Sequence, residues 1–467
     1  MEQGMGTVGN IIVLVYLIVI FAIGVYAKKF TKNFNDYILG GGKTGIVLLA
    51  GTVIATLWGG VTFLGIAGYS YTSLYKGVWY AFGAFLFFLV WAFFLAKPIR
   101  KMQPYTISEW FALRYDKKCG LLASLFNLIV YLGFLGSQFV AFATVVNSLM
   151  GWPFEWSIVI SAVVVTAYTF VGGFFAVAMT DLVQFAISLV GALIILIVAI
   201  ANVGTFGAVR EALPPEYFNS QAPWGIFYMV TIFFLWLGAH PLQHITQRIS
   251  SASTKKIAFW AAVFGALGYL FVTYVTPAVG AYARVILPGL ERADQAYPML
   301  VMTLLPTWAA ALVVAALLAV VMSSADSYLL GPATLAASDV IRYFKPDIDQ
   351  KKLLLAARLM TVVYAGLALI VALSFKVIIA QILTFLVIAW AMLPALYASV
   401  TWKKASNTAA FWSMLIGAGV NVVLIKNVPA AMQQYPSYYT GCIGFAVAIV
   451  LLIVLTLIFP KKEAATA

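Results

Sequence analysis

Charge is the first thing this chain is short of. Asp, Glu, Lys and Arg make up only 9% of its 467 residues, while apolar types fill 64%. Soluble domains carry about a quarter of their residues charged, so a water-solvated fold is excluded and a helical bundle solvated by lipid is indicated. Cysteine is just as scarce, with Cys119 and Cys442 alone. On the topology below they fall at opposite membrane faces, which excludes a disulfide between them, and they form no metal-binding pattern. The only histidines, His240 and His244, stand four apart with Pro241 between them. Two ligands are one short of a zinc site, which leaves a solute or gate contact, or ordinary packing. No nucleophile and base come together, so an enzyme is not expected.

Apolar length is what the chain has in plenty. A spanning helix needs about 20 apolar residues. Windows of that size give thirteen candidate spans: Gly9 to Ala27, Gly45 to Tyr71, Val78 to Ala96, Leu121 to Met150, Trp156 to Phe170, Phe174 to Val203, Trp224 to Ala239, Ile257 to Ala283, Ala309 to Val340, Leu353 to Phe375, Val377 to Thr401, Thr408 to Ile425 and Tyr439 to Phe459. The class expected is an all-α polytopic membrane protein.

Basic residues orient it. With the N-terminus outside and the C-terminus cytoplasmic, the inward loops collect 22 of the 28 Lys and Arg, among them Lys28, Lys97, Arg248, Lys351 and Lys462. That asymmetry obeys the positive-inside rule, so the net charge of +13 is topological. Nucleic acid is excluded as a partner, since the charges lie in small clusters between spans and not on one face. The first span is followed by "KKFTK" without a small-residue cleavage site and is expected to be retained; no output module is expected after the last.

Apart from Asp339 at the very end of the Ala309 to Val340 window, only two of the fifteen acids fall inside spans, Asp181 and Asp326. A carboxylate at depth costs roughly 2.5 to 3.5 kcal/mol and faces the bundle interior, paired with a cation, a pathway or a proton. No Lys or Arg is expected beside them, which leaves a cation from solution or a hydrogen-bonded acid. In "VVMSSADSYLL", Val320, Ser323, Ser324 and Ser327 lie along one helical face with Asp326 close by. Hydroxyls and a carboxylate are hard oxygen ligands and suit a monovalent hard cation.

Two spans are interrupted. "ATLWGGVTFLG" carries Gly59 and Gly60 in mid-span, and five spans later "LWLGAHPLQHITQR" is broken by Gly238 and Pro241. Lipid forbids unwound backbone unless it lines a cavity, and such breaks in corresponding positions of two halves point to a transporter's central site. Five spans per half is odd, so the repeats are inverted.

These residues resemble the sodium/solute symporter family. The resemblance runs from about Tyr26 to Lys404 and is carried by "YTFVGGFFAVAMTDLVQ", "QRISSAS", "RADQAYP" and "MSSADS". Within it the chain reads closest to the high-affinity choline transporter branch, but has Leu57, Gly133 and Leu242 where that branch has tryptophans. The resemblance implies a LeuT-like five-plus-five core: residues 1–44 an accessory helix and basic loop, 45–203 and 204–404 the two inverted repeats, 405–467 two C-terminal helices and a short tail. It implies a shared sodium site from Ala55, Trp58, Val320, Ser323 and Ser324, and a second from Thr180, Asp181, Ser323, Asp326 and Ser327. Solute contacts are expected from Leu57, Gly59, Gly60, Thr62, Gln138, His240, Leu242 and Gln243.

The function expected is sodium-coupled symport by alternating access of a small organic solute of the amino acid, monocarboxylate, vitamin or quaternary amine class. An uncoupled facilitator or channel, or a membrane solute sensor of the same fold, is the alternative. Na+ is the coupling ion and no other cofactor is expected. The solute and the bilayer of the plasma or inner membrane are the other partners, with a monomer as the functional unit.

Overall fold

A computed structural model describes residues 6–219, 224–375, 378–429 and 436–461. Val377, where one expected span begins, and Lys462, expected on the inner side, lie outside the described residues. The principal helices are α1 (Gly6–Ala27), α2 (Ile46–Leu57), α3 (Ile66–Thr72), α4 (Leu74–Val90), α5 (Lys117–Met150), α6 (Phe154–Val203), α7 (Trp224–Leu237), α8 (Gln243–Ser251), α9 (Lys255–Ile286), α10 (Thr307–Leu335), α11 (Gln350–Ser374), α12 (Ile378–Trp390), α13 (Leu393–Thr401), α14 (Asn407–Leu424) and α15 (Pro436–Ile458). Among the described residues there is no strand, only one isolated parallel bridge between Thr44 and Ala252.

Local chemistry starts and stops these helices. Asp116 caps α5 by accepting from Cys119 N at 2.9 Å, and Gly151, at φ 71°, ends it in the left-handed region. Thr254 caps α9 through Ile257 N at 3.1 Å.

Nine helices among the described residues are long and apolar enough to cross a membrane, or up to eleven if each bent pair is one span. The sequence windows expect thirteen, and the difference has two physical sources. The fifth and sixth windows lie on the single 50-residue α6, interrupted only at Gly173, where φ 60° and ψ −148° break the helix. A Cβ there would stand 2.4 Å from the Tyr37 ring, so glycine is required twice over. The seventh window, Trp224 to Ala239, holds only α7, whose 14 residues are too few to pass as a span alone, and α8, of 9 residues, follows beyond the window.

Helix α10 runs through the middle of the molecule. Its span is buried over 83% of its apolar stretch, against 28% for the first and last spans, so its serines and Asp326 face protein and not lipid. Against it pack α6, α5 and α1, and the broken helices lie alongside. The QRISSAS segment is clamped at the C-terminal end of α8: Thr44 N donates to Ser251 O at 2.9 Å, Ser253 N to Thr44 O at 3.0 Å, and the Arg100 guanidinium to the Ala252 and Ser253 carbonyls.

Candidate functional site

The first break holds the site together. Helix α2 ends at Leu57, Trp58 leaves helical geometry at ψ 57°, and a π-helical turn, Val61–Gly65, leads into α3 with a bend of 51°. Carbonyls released by the break must find donors, because no water or lipid supplies them. Ser323 Oγ donates toward Ala55 O at 3.0 Å and Val320 O at 2.9 Å, and Ser324 Oγ to Thr56 O at 2.7 Å. Leu57 O accepts from Thr62 Oγ1 at 2.7 Å and from the Tyr269 hydroxyl. Gly60 N donates to Gln138 Oε1 at 2.9 Å. Gly59 permits this closeness, since a Cβ there would lie 2.3 Å from Ser324 Oγ.

The result is a cluster of hard oxygens between a broken helix and the buried face of α10. Two carbonyls, Ala55 and Val320, converge on one hydroxyl, Ser323, with the Ser324 hydroxyl alongside. Such a set of hard oxygens is of the kind that suits an alkali cation. Trp58 stands at the break with its ring buried among Phe63, Phe185 and Phe271.

The two acids sit beside this cluster, fully buried. Asp181 Oδ2 accepts from Thr52 Oγ1 at 2.5 Å, and Asp326 Oδ2 accepts from the Tyr168 hydroxyl at 3.0 Å. Ser327 Oγ donates to Asp326 Oδ1 at 3.2 Å, while Thr180 Oγ1 is turned back onto Ala176 O and Val177 O of its own helix. The expectation that no basic residue stands near the acids is corrected here. Arg248, assigned to an inward loop by the charge pattern, is 1% exposed and reaches Asp181 Oδ2 at 3.4 Å and Ser327 Oγ at 2.7 Å. The reason is that the chain resumes a helix after Pro241, and all nine residues of α8 are buried.

A small cavity, about 30 Å³, lies at the first break. Leu57, Gly59, Thr62 and Gln138 line it, together with Tyr80, Phe134, Trp236 and Tyr328, and no charged side chain does. Three of its polar groups are already engaged: Thr62 on Leu57 O, Gln138 Oε1 on Gly60 N, and Trp236 Nε1 on Tyr80 O at 2.8 Å. Gly60 lies behind this wall, against the Ala141 methyl. The other expected contacts are elsewhere. His240 stacks on Phe87 at 4.3 Å and bonds Phe87 O and the Tyr397 hydroxyl. Gln243 accepts from Ile107 N at 2.8 Å and donates to Tyr105 O at 3.0 Å, and Leu242 is buried away from the lining. Phe134, Trp236 and Tyr328 escaped sequence reasoning because each sits on a different helix at an unremarkable apolar position, whereas Tyr80, which by its place near a span end reads from the sequence as an interfacial anchor, is buried in the cavity wall instead.

Residues 37–417 match the model of the sodium:solute symporter family, and the chain belongs to that family. It is therefore a sodium-coupled transporter integral to a membrane, not an enzyme. Among its relatives are the sodium/proline symporter of Haemophilus influenzae, 28% identical over 96% of this chain and 94% of that protein, and the sodium/pantothenate symporter of the same organism, 26% identical over 93% and 94%. The fold is shared with a Na+-coupled sialic acid symporter solved in a substrate-bound outward-open state, with a TM-score of 0.83 at 20% identity over 98% of this chain and all of that one. A nucleobase-cation-symport-1 family transporter aligns with a TM-score of 0.63 at 15% identity over 92% and 96%.

Proposed function

We propose that the chain couples inward movement of sodium to uptake of a small organic solute, with one ion held by Ala55, Trp58, Val320, Ser323 and Ser324 and a second by Thr180, Asp181, Ser323, Asp326 and Ser327. The observation that carries this reading is the convergence of the Ala55 and Val320 carbonyls on the Ser323 hydroxyl, which joins the first break to α10 through a shared set of hard oxygens. Alternating access is assigned to two inverted repeats, 45–203 and 204–404, flanked by 1–44 and 405–467, in thirteen crossings with the N-terminus outside. The functional unit proposed is a monomer in the plasma or inner membrane.

The solute site proposed is the cavity between Leu57, Gly59, Thr62, Gln138 and the rings of Phe134 and Tyr328. Its aromatic, uncharged lining favours a compact solute with an apolar body. Named relatives that carry proline and pantothenate support an amino acid or a vitamin acid as the first candidates. One sodium entering down a tenfold gradient and about −100 mV supplies about 3.7 kcal/mol, enough for on the order of 500-fold accumulation of a neutral solute. The test is uptake into sealed vesicles with and without an inward sodium gradient, across amino acids, monocarboxylates, vitamins and quaternary amines. Accumulation above equilibrium for one class, only with the gradient, is expected; equal uptake of every class irrespective of sodium overturns the site assignment.

A further inference from the structure

Asp181, Asp326 and Arg248 are each at most 1% exposed and meet around Ser327. Two ionised carboxylates against one guanidinium leave one uncompensated negative charge, which a single sodium ion balances. Arg248 belongs to α8, the inner half of the second broken span, yet its hydrogen bonds reach α2 at Thr52 Oγ1 (3.0 Å), α6 at Asp181 Oδ2 (3.4 Å) and α10 at Ser327 Oγ (2.7 Å). Asp181 Oδ1 is buried and has no hydrogen-bond partner, so one face of that carboxylate remains open to another cation.

The charge balance matters most when the carrier is empty. After releasing its cargo inside, a symporter closes around a vacant site before it reopens outside. Closing removes the acids from water, and each uncompensated buried charge then costs several kcal/mol. Without Arg248 the vacant cluster would hold two bare carboxylates. With it the cluster holds one.

We propose that Arg248 is a tethered cation that stands in for the second sodium at Asp181 while the carrier is empty and competes with the ion when it arrives. This rests on the second sodium site proposed above. A guanidinium fixed by Thr52 and Ser327 is close enough to neutralise Asp181, and at 3.4 Å it is not so tightly joined that the open oxygen is unavailable. The same guanidinium holds α8 against α2, α6 and α10, so the ion and the inner half of the broken span contend for one carboxylate.

Binding of radiolabelled Na+ to the purified full-length protein tests this. Two ions per chain are expected in the parent. Arg248→Gln removes the competitor and should tighten the second ion by about fivefold or more, the low end of ordinary coupling between sites. Arg248→Lys keeps a tethered cation and should bind near the parent's affinity. Asp181→Asn combined with Arg248→Gln removes both charges and should bind one ion fewer. A parent that binds one ion sinks the second-site reading itself. Two ions in the parent with unchanged or weaker binding in Arg248→Gln overturns the tethered cation alone. Should Arg248→Gln not fold, the double variant decides: if it still binds the parent's number of ions, the proposal is overturned.

Discussion

The Ser324 hydroxyl donates to the Thr56 carbonyl at 2.7 Å, joining the face of α10 to the last turn of α2 across 268 residues of sequence. One residue earlier on each helix, Ser323 does the same for Ala55. Replacing either serine by alanine leaves a buried carbonyl without its donor and removes one hard oxygen from the ion's surroundings. Ser323→Ala or Ser324→Ala is expected to raise the sodium concentration for half-maximal uptake by roughly tenfold, equivalent to about 1.4 kcal/mol. Sodium activation curves normalised to surface expression check this, and parent-like curves in both variants would sink the shared site.

Close approach at Gly59 makes a second prediction. A methyl group there would lie 2.3 Å from Ser324 Oγ, so Gly59→Ala must push the break away from α10. Uptake per inserted protein should fall at least about tenfold, since overpacking typically costs 1 to 3 kcal/mol. Gly366→Ala, where a Cβ meets nothing within 4 Å, is the control and should transport normally. Equal uptake in the two variants contradicts the argument.

Gln243 and Tyr328 separate solute recognition from scaffold. Gln243 is committed to the Tyr105 and Ile107 backbone, whereas Tyr328 faces the cavity. Gln243→Ala should lower thermal stability by about 1 to 3 kcal/mol, through the orphaned backbone groups, and leave the solute competition profile unchanged. Tyr328→Leu should alter that profile. The reverse pattern in a competition assay would move the pocket to the second break.

Asp326 provides the stoichiometric test. Its carboxylate takes hydrogen bonds from Tyr168 and Ser327, which Asn can retain only in part. Asp326→Asn should lower the Hill coefficient for sodium from near two towards one while transport persists. Charge moved per solute, measured in voltage-clamped membranes, should fall by one elementary charge. A parent coefficient of one returns Asp326 to a structural role.

Much of this site was legible before folding. Ser323, Ser324 and Ser327 stand out because three hydroxyls and an acid interrupt an apolar run at helical spacing, and lipid leaves them only an interior to face. Gly59, Gly60, Gly238 and Pro241 stand out because unwound backbone in a membrane needs partners. Arg248 did not, although the sequence displays it plainly. Charge counting assigns every basic residue between spans to a loop, and only the continuation of α8 beyond Pro241 carries this one into the interior. Gln243 and His240 bond scaffold groups in the structure, which the sequence does not signal, because a break offers many free groups and nothing local says which of them meet scaffold.

Composition alone determined that this chain lives in a membrane, and the periodicity of α10 determined which of its faces is polar. Those are properties of short stretches, set by the cost of exposing charge or backbone to lipid. What only the tertiary structure decided is partnership across distance: Thr56 with Ser324, Asp181 with Arg248, and four rings from separate helices around one cavity. Pairings of this kind depend on how bent helices pack, and packing is a sum over many weak contacts that no short stretch of sequence records.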